Sequence, residues 1–247
     1  MKTSYFSIQR QYEIRCKLFA PENETISNVI VGVHGFAGDK ESSMLDKLAE
    51  MACACRTALL CFDFPAHGDS PVEEEQLTVE NCKKDLCAVV DFAAEAYPEA
   101  RRSIFATSFG GYISLLCAHK LGQIPLVLRA PAVTMPKVLL ENVLQITAEE
   151  FRQRKTAKCG FERAIQLPCA FYMELSREED LFQKELAVPI LLIHGDCDDV
   201  VPSVDVEAFA VAHGSVSLQI LQGADHRFKK PGEIETIVKL TKAFLGI

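Results

Sequence analysis

Three residues with complementary chemistry, Ser108, Asp198 and His226, each follow an apolar run in this 247-residue chain. The segment Phe105-Ala106-Thr107-Ser108-Phe109-Gly110-Gly111 passes from an apolar stretch straight into a helical pattern. A sharp strand-to-helix turn strains the serine backbone and raises its hydroxyl above a sheet edge. Its neighbours two before and two after must be small, because strand and helix backbones crowd there. Ala106 and Gly110 meet that requirement. Alone, the stretch also reads as an ordinary Ser/Gly helix start, so the chemistry depends on partners.

A serine hydroxyl is a weak nucleophile near neutral pH and needs a base, itself oriented by an acid. The run 189–194 ends in His194-Gly195-Asp196-Cys197-Asp198-Asp199-Val200-Val201-Pro202, and the run 215–221 leads to Gly223-Ala224-Asp225-His226-Arg227-Phe228. Of the other histidines, His34, His67 and His194 read as bracing groups at strand ends, and His119 and His213 as residues within helical segments. The tetrahedral intermediate of acyl transfer also requires fixed N–H donors. The amide of Phe109, directly after the serine, is one such donor.

The elements that must position these residues alternate regularly. Segments 4–10 and 12–19 predict an antiparallel edge, and 28–34 is a β-branched run suited to a strand buried on both faces. Helix 42–56, strand 57–63, helix 78–97, strand 102–107, helix 110–121 and strand 125–128 follow. After a stretch from 130 to about 188, strand 189–194, helix 203–213, strand 215–221 and helix 231–245 resume the alternation. This pattern predicts a mostly parallel sheet with helices on both faces, an α/β fold. Ser108, Asp198 and His226 then all stand beyond the carboxyl ends of strands, where open α/β sheets bind ligands. The 130–188 stretch, dense in charge and without a strong buried run, reads as a mainly helical insertion.

With 49% apolar and 24% charged residues the chain can bury a substantial core. A net charge of −8 gives no electrostatic reason to expect nucleic acid or anionic lipid as a partner. No run approaches a membrane span, and residues 1–6 carry no secretory pattern, so a cytoplasmic location is expected. The ten cysteines are scattered, lack a C-x-x-C pair, and read as reduced thiols rather than bridges or metal ligands. No metal or cofactor is expected, and nothing in the sequence sets an oligomeric state.

The order nucleophile, acid, histidine at successive strand ends resembles the α/β-hydrolase family, from residue 28 to the end of the chain. Ala106 stands where that family usually has glycine. The resemblance implies an eight-stranded, mostly parallel sheet, with a core of residues 1–131 and 188–247 and a small helical cap at 132–187. It implies Asp198 as the acid, by its place before an apolar pair and Pro202. Asp199 is the alternative, while Asp196 and Asp199 otherwise read as caps of the following helix. His34-Gly35-Phe36-Ala37-Gly38 resembles the family's oxyanion loop, which implies the Phe36 amide as second donor. Phe151, Phe161, Phe171, Tyr172, Met173 and Leu175 are candidates to line an apolar pocket, with Phe171 and Tyr172 foremost; taken singly, each reads rather as packing of the cap helices onto the core.

The small cap resembles carboxylesterases of the feruloyl/cinnamoyl type and monoacylglycerol lipases. The activity it implies is hydrolysis of a small carboxylic ester without a cofactor. An aminopeptidase, amidase or thioesterase with the same triad is the alternative. A binding module on the same fold is the reading from another class.

Overall fold

The centre of the structure is β3 (Asn28–Val33), six residues all buried because helices cover the sheet on both sides. The computed structural model describes residues 1–160, 164–178 and 180–247. Val29, Val31 and Val33 face one core cluster and Ile30 the other, as the alternation of side chains along a strand requires.

The chain begins with the hairpin β1 (Lys2–Gln9) and β2 (Glu13–Ala20), followed by β3. Next come α1 (Ser43–Ala54), β4 (Thr57–Phe62), α2 (Val79–Ala96), β5 (Arg101–Thr107), α3 (Phe109–Leu121) and β6 (Leu126–Arg129). The stretch after β6 holds α4 (Met135–Lys137), a π-helical turn (Val138–Leu144) and α5 (Ala148–Arg154). It continues with β7 (Thr156–Cys159), β8 (Ile165–Pro168) and α6 (Cys169–Leu175). The last elements are β9 (Ile190–Gly195), α7 (Ser203–Ala212), β10 (Val216–Leu221) and α8 (Glu233–Leu245).

The main sheet has eight strands in the order β1-β2-β4-β3-β5-β6-β9-β10. The pairs β1–β2 and β2–β4 are antiparallel and the rest parallel. All parallel strands therefore deliver their carboxyl ends to one edge. Helices α2, α3 and α7 pack with the stretch after β6 on one face, and α1 and α8 on the other.

Between β6 and β9 the structure departs from the expected mainly helical stretch. Strands β7 and β8 form a separate antiparallel hairpin. Each is four residues long, with outward positions exposed, too short for a periodic signal. This stretch is fastened to the sheet domain through α6. Glu174 accepts hydrogen bonds from the first two amides of α2, Val79 N at 2.9 Å and Glu80 N at 3.0 Å. A carboxylate there satisfies orphan donors and complements the helix dipole. Glu178 adds an ion pair to Lys83 at 3.0 Å.

The expected effect of Glu174→Ala is a loss of about 1–2 kcal/mol in urea unfolding, with partial recovery in Glu174→Gln. An unchanged midpoint in Glu174→Ala contradicts this fastening.

Candidate active site

Ser108 occupies the one-residue turn between β5 and α3 with φ 50° and ψ −114°. This is a strained conformation for a residue with a Cβ, maintained only where the surroundings overdetermine it. Here the Ser108 amide donates to the Arg129 carbonyl at 2.9 Å, while its own carbonyl accepts from Tyr112 N at 3.1 Å and Ala132 N at 3.2 Å. The small-residue requirement has a direct cause. A Cβ on Gly110 would lie 2.4 Å from the His34 carbonyl oxygen and 2.9 Å from Val33. Ala106 is fully buried in β5.

The loops after β9 and β10 meet just beside this turn. A Cβ on Gly195 would lie 2.2 Å from the Ala224 carbonyl oxygen, so only glycine permits that approach. The carbonyl instead accepts from Cys197 N at 3.0 Å. The result is a continuous relay: Ser108 Oγ lies 3.2 Å from His226 Nε2, and His226 Nδ1 lies 2.7 Å from Asp198 Oδ2. These partners assign the proton to Nδ1, which donates to the carboxylate, and leave Nε2 to accept from the serine hydroxyl.

The alternatives among the aspartates are separated by contacts. The Asp198 side chain has no exposed surface, and its Oδ1 accepts from Val200 N at 2.9 Å and Val201 N at 2.7 Å. Burial pushes this carboxyl up, but the His226 hydrogen bond and charge with the Val201 amide outweigh burial and hold it below the usual range. Asp199 is exposed, and Asp196 accepts from Gly223 N instead. Neither caps α7, whose N-cap is Pro202 without a side-chain hydrogen bond. Asn142, in the π-helical turn, donates to the Val200 carbonyl at 2.8 Å and steadies the same loop.

Residues 34–38 form a tight turn beside Ser108, closed by Gly38 N donating to the Gly35 carbonyl at 3.0 Å. Among the described residues, the amides of Phe36 and Phe109 have no hydrogen-bond acceptor. His34 braces this turn: its Nδ1 donates to the Gly35 carbonyl at 2.7 Å and its Nε2 accepts from Phe64 N at 3.1 Å. Burial pulls His34 down to about 4, which keeps the ring neutral for both roles. The His67 ring packs tilted against His34, 5.1 Å between centroids, and edge-to-face against Phe36 at 5.3 Å.

Sequence reasoning missed a second brace. Buried Asp63 accepts from Lys40 N at 2.8 Å, Lys40 Nζ at 2.8 Å and Asp69 N at 3.1 Å, and Lys40 also pairs with Asp69. It joins the 34–40 loop to the loop after β4. For Asp63, a polar residue ending an apolar run was the available signal. His194, one of the histidines expected to brace the site, donates from Nε2 to the Val201 carbonyl at 3.0 Å and stands 3.5 Å from Asp198.

Phe171 is buried in an aromatic wall, 5.9 Å from Phe36 and 5.8 Å from Phe109 between ring centroids, and those two rings are 5.5 Å apart. Tyr172 turns instead to Phe151, at 6.1 Å. Phe151 and Leu175 are buried and Met173 half-buried in the same core cluster. Phe161 lies outside the described residues. All ten cysteines are free thiols. Among the described residues no group of three or more His, Cys, Asp or Glu side chains is arranged to hold a metal, and no helix is long and apolar enough to cross a membrane.

Comparison with known proteins agrees with this architecture. The structure of Est1E from Butyrivibrio proteoclasticus, with ferulic acid bound, superposes with a TM-score of 0.82 at 20% identity, covering 98% of this chain and all (100%) of that one. The monoacylglycerol lipase of Paleococcus ferrophilus superposes with a TM-score of 0.71 at 18% identity, covering 95% of this chain and 99% of that one. In sequence, a protein of Bos taurus named palmitoyl-protein thioesterase ABHD10, mitochondrial, is 24% identical over 220 residues, 85% of this chain and 70% of that protein. The profile of the family described as "Serine aminopeptidase, S33" matches residues 24–166. With more than half of its length inside that match, the chain belongs to this family, and its fold is that of the α/β-hydrolases.

Proposed function

We propose that this hydrolase cleaves small, apolar carboxylic esters through an acyl-enzyme on Ser108. The observation that carries this reading is the unbroken relay Ser108 Oγ–His226–Asp198, at 3.2 Å and 2.7 Å. Ser108 Oγ attacks the ester carbonyl carbon as His226 Nε2 takes its proton. The Phe36 and Phe109 amides donate to the oxyanion of the tetrahedral intermediate. As the intermediate collapses, His226 returns the proton to the leaving alcohol and the acyl group stays on Ser108. Water then attacks this acyl ester, His226 accepts the water's proton and passes it to Ser108 Oγ, and the carboxylic acid leaves. Asp198 fixes the ring orientation and stabilises the imidazolium.

Several features support a small apolar acyl group. The rings of Phe36, Phe109 and Phe171 pack together beside the serine turn, and Phe36 is the one of the three that keeps exposed surface there. Residues 132–187 act in this reading as a cap, supplying Phe171 from α6. A second reading, an acyl thioester as substrate, is favoured by the bovine relative named a thioesterase. The same residues serve both leaving groups, and matched oxygen esters and thioesters separate them. A higher kcat/KM on the oxygen ester supports the first reading.

Ser108→Ala is expected to lower p-nitrophenyl ester hydrolysis by about 10⁴-fold or more; equal rates in variant and parent contradict the proposal.

Asp198→Asn is expected to lower kcat by about 10³–10⁴-fold through loss of the Nδ1–H orientation. Because the folded carboxyl titrates below its ordinary value, its contribution to stability is full above that value and disappears as pH falls through the lowered one. Asp198→Asn is therefore expected to flatten that acid-side loss in urea unfolding; an unchanged slope contradicts the assignment.

Phe171→Leu is expected to shift the acyl preference towards longer chains while keeping activity on short ones. An unchanged chain-length profile removes Phe171 from the acyl pocket.

A further inference from the structure

Arg129 is the last residue of β6, the strand between the one that ends at Ser108 and the one that leads to Asp198. In register it lies opposite Thr107 of β5 and Ile193 of β9. Its carbonyl accepts the Ser108 amide at 2.9 Å. Its side chain reaches the third member of the relay: Nη2 donates to the Arg227 carbonyl at 2.6 Å, immediately after His226. The guanidinium then covers the Phe228 ring at 4.8 Å. Phe228 is fully buried and has φ 54°, a conformation an aromatic residue adopts only when held there.

The group doing the holding is itself costly to bury. Arg129 is 8% exposed, its Nε has no hydrogen-bond partner, and among the described residues no carboxylate lies within ion-pair distance. Burial pulls the guanidinium down to about 10, against the longer-range attraction of Asp198 and Asp225. A hydrophobic residue of similar volume commonly stabilises such a position, so packing alone does not account for the charge. The charged groups whose fields reach it are Asp198, in the loop after β9, and Asp225, in the loop after β10.

We propose that Arg129 is a positioning residue for the relay: its side chain pins the strained turn carrying His226 through the Arg227 carbonyl and the Phe228 ring, and it brings a buried positive charge to that turn. One residue thereby couples the serine turn, through its backbone, to the histidine turn, through its side chain. This inference rests on the proposed function for its kinetic consequences but not for its geometry.

The test compares Arg129→Met, which removes the charge at similar volume, with Arg129→Lys, which keeps it. In Arg129→Met, kcat for ester hydrolysis is expected to fall about tenfold or more with KM nearly unchanged. The acid limb of its pH–rate profile is expected to move to higher pH, because a removed positive charge no longer opposes protonation of the relay. Arg129→Lys is expected to keep the parent's acid limb and recover part of kcat. The second readout needs no substrate. The proton between His226 Nδ1 and Asp198 gives a downfield NMR resonance, identified by its loss in Asp198→Asn, and this resonance is expected to shift or broaden in Arg129→Met but not in Arg129→Lys. Should Arg129→Met not fold, Arg129→Gln takes its place. A neutral variant with the parent's kcat, acid limb and resonance overturns the proposal, whatever its thermal stability. A parent protein that hydrolyses no ester yet shows the resonance contradicts the hydrolytic reading instead, and the resonance comparison still decides the role of Arg129.

Discussion

A carboxylate cut off from solvent anchors this site. Asp198 has no exposed side-chain surface, and such a charge survives only when its lone pairs are occupied. Val200 N and Val201 N take one oxygen and His226 the other. The two amides fix the direction in which the remaining oxygen points, and that direction fixes the imidazole. The position of the ring in turn decides whether Nε2 meets Ser108. The relay is therefore set from its most buried end outward.

At the other end, the serine is held by strain. A left-handed φ at Ser108 is unfavourable in isolation, yet three backbone hydrogen bonds and the contact of Gly110 with the His34 carbonyl leave the chain no alternative path. The neighbouring 34–40 loop is fixed by two separate braces, neutral His34 and the buried Lys40–Asp63 pair. Sheet, turn and loops thus arrive preorganised, which is what electrostatic stabilisation of a transient oxyanion requires.

The legible parts of the molecule are those with local causes. Alternating apolar runs reproduce the order of the main-sheet strands, with boundaries displaced by a residue or two, because burial on one or both faces imposes a period on the sequence. The serine turn announces itself because its crowding restricts residues only two positions away. Three aspartates within four positions could not be resolved by spacing; the amides of Val200 and Val201 single out Asp198 only once the loop is folded. The β7–β8 hairpin escaped notice because four-residue strands carry too few alternations. Glu174 on the amides of α2 and Arg129 on the Arg227 carbonyl join residues 94 to 98 positions apart, contacts that leave no trace in local pattern.

Covalent labelling reports whether Ser108 Oγ is an activated nucleophile. Parent protein treated with a fluorophosphonate and digested is expected to carry one phosphonyl group, mapped by mass spectrometry to Ser108 and absent after His226→Ala. A parent protein left unlabelled, or labelled at another residue with Ser108 intact, contradicts the account.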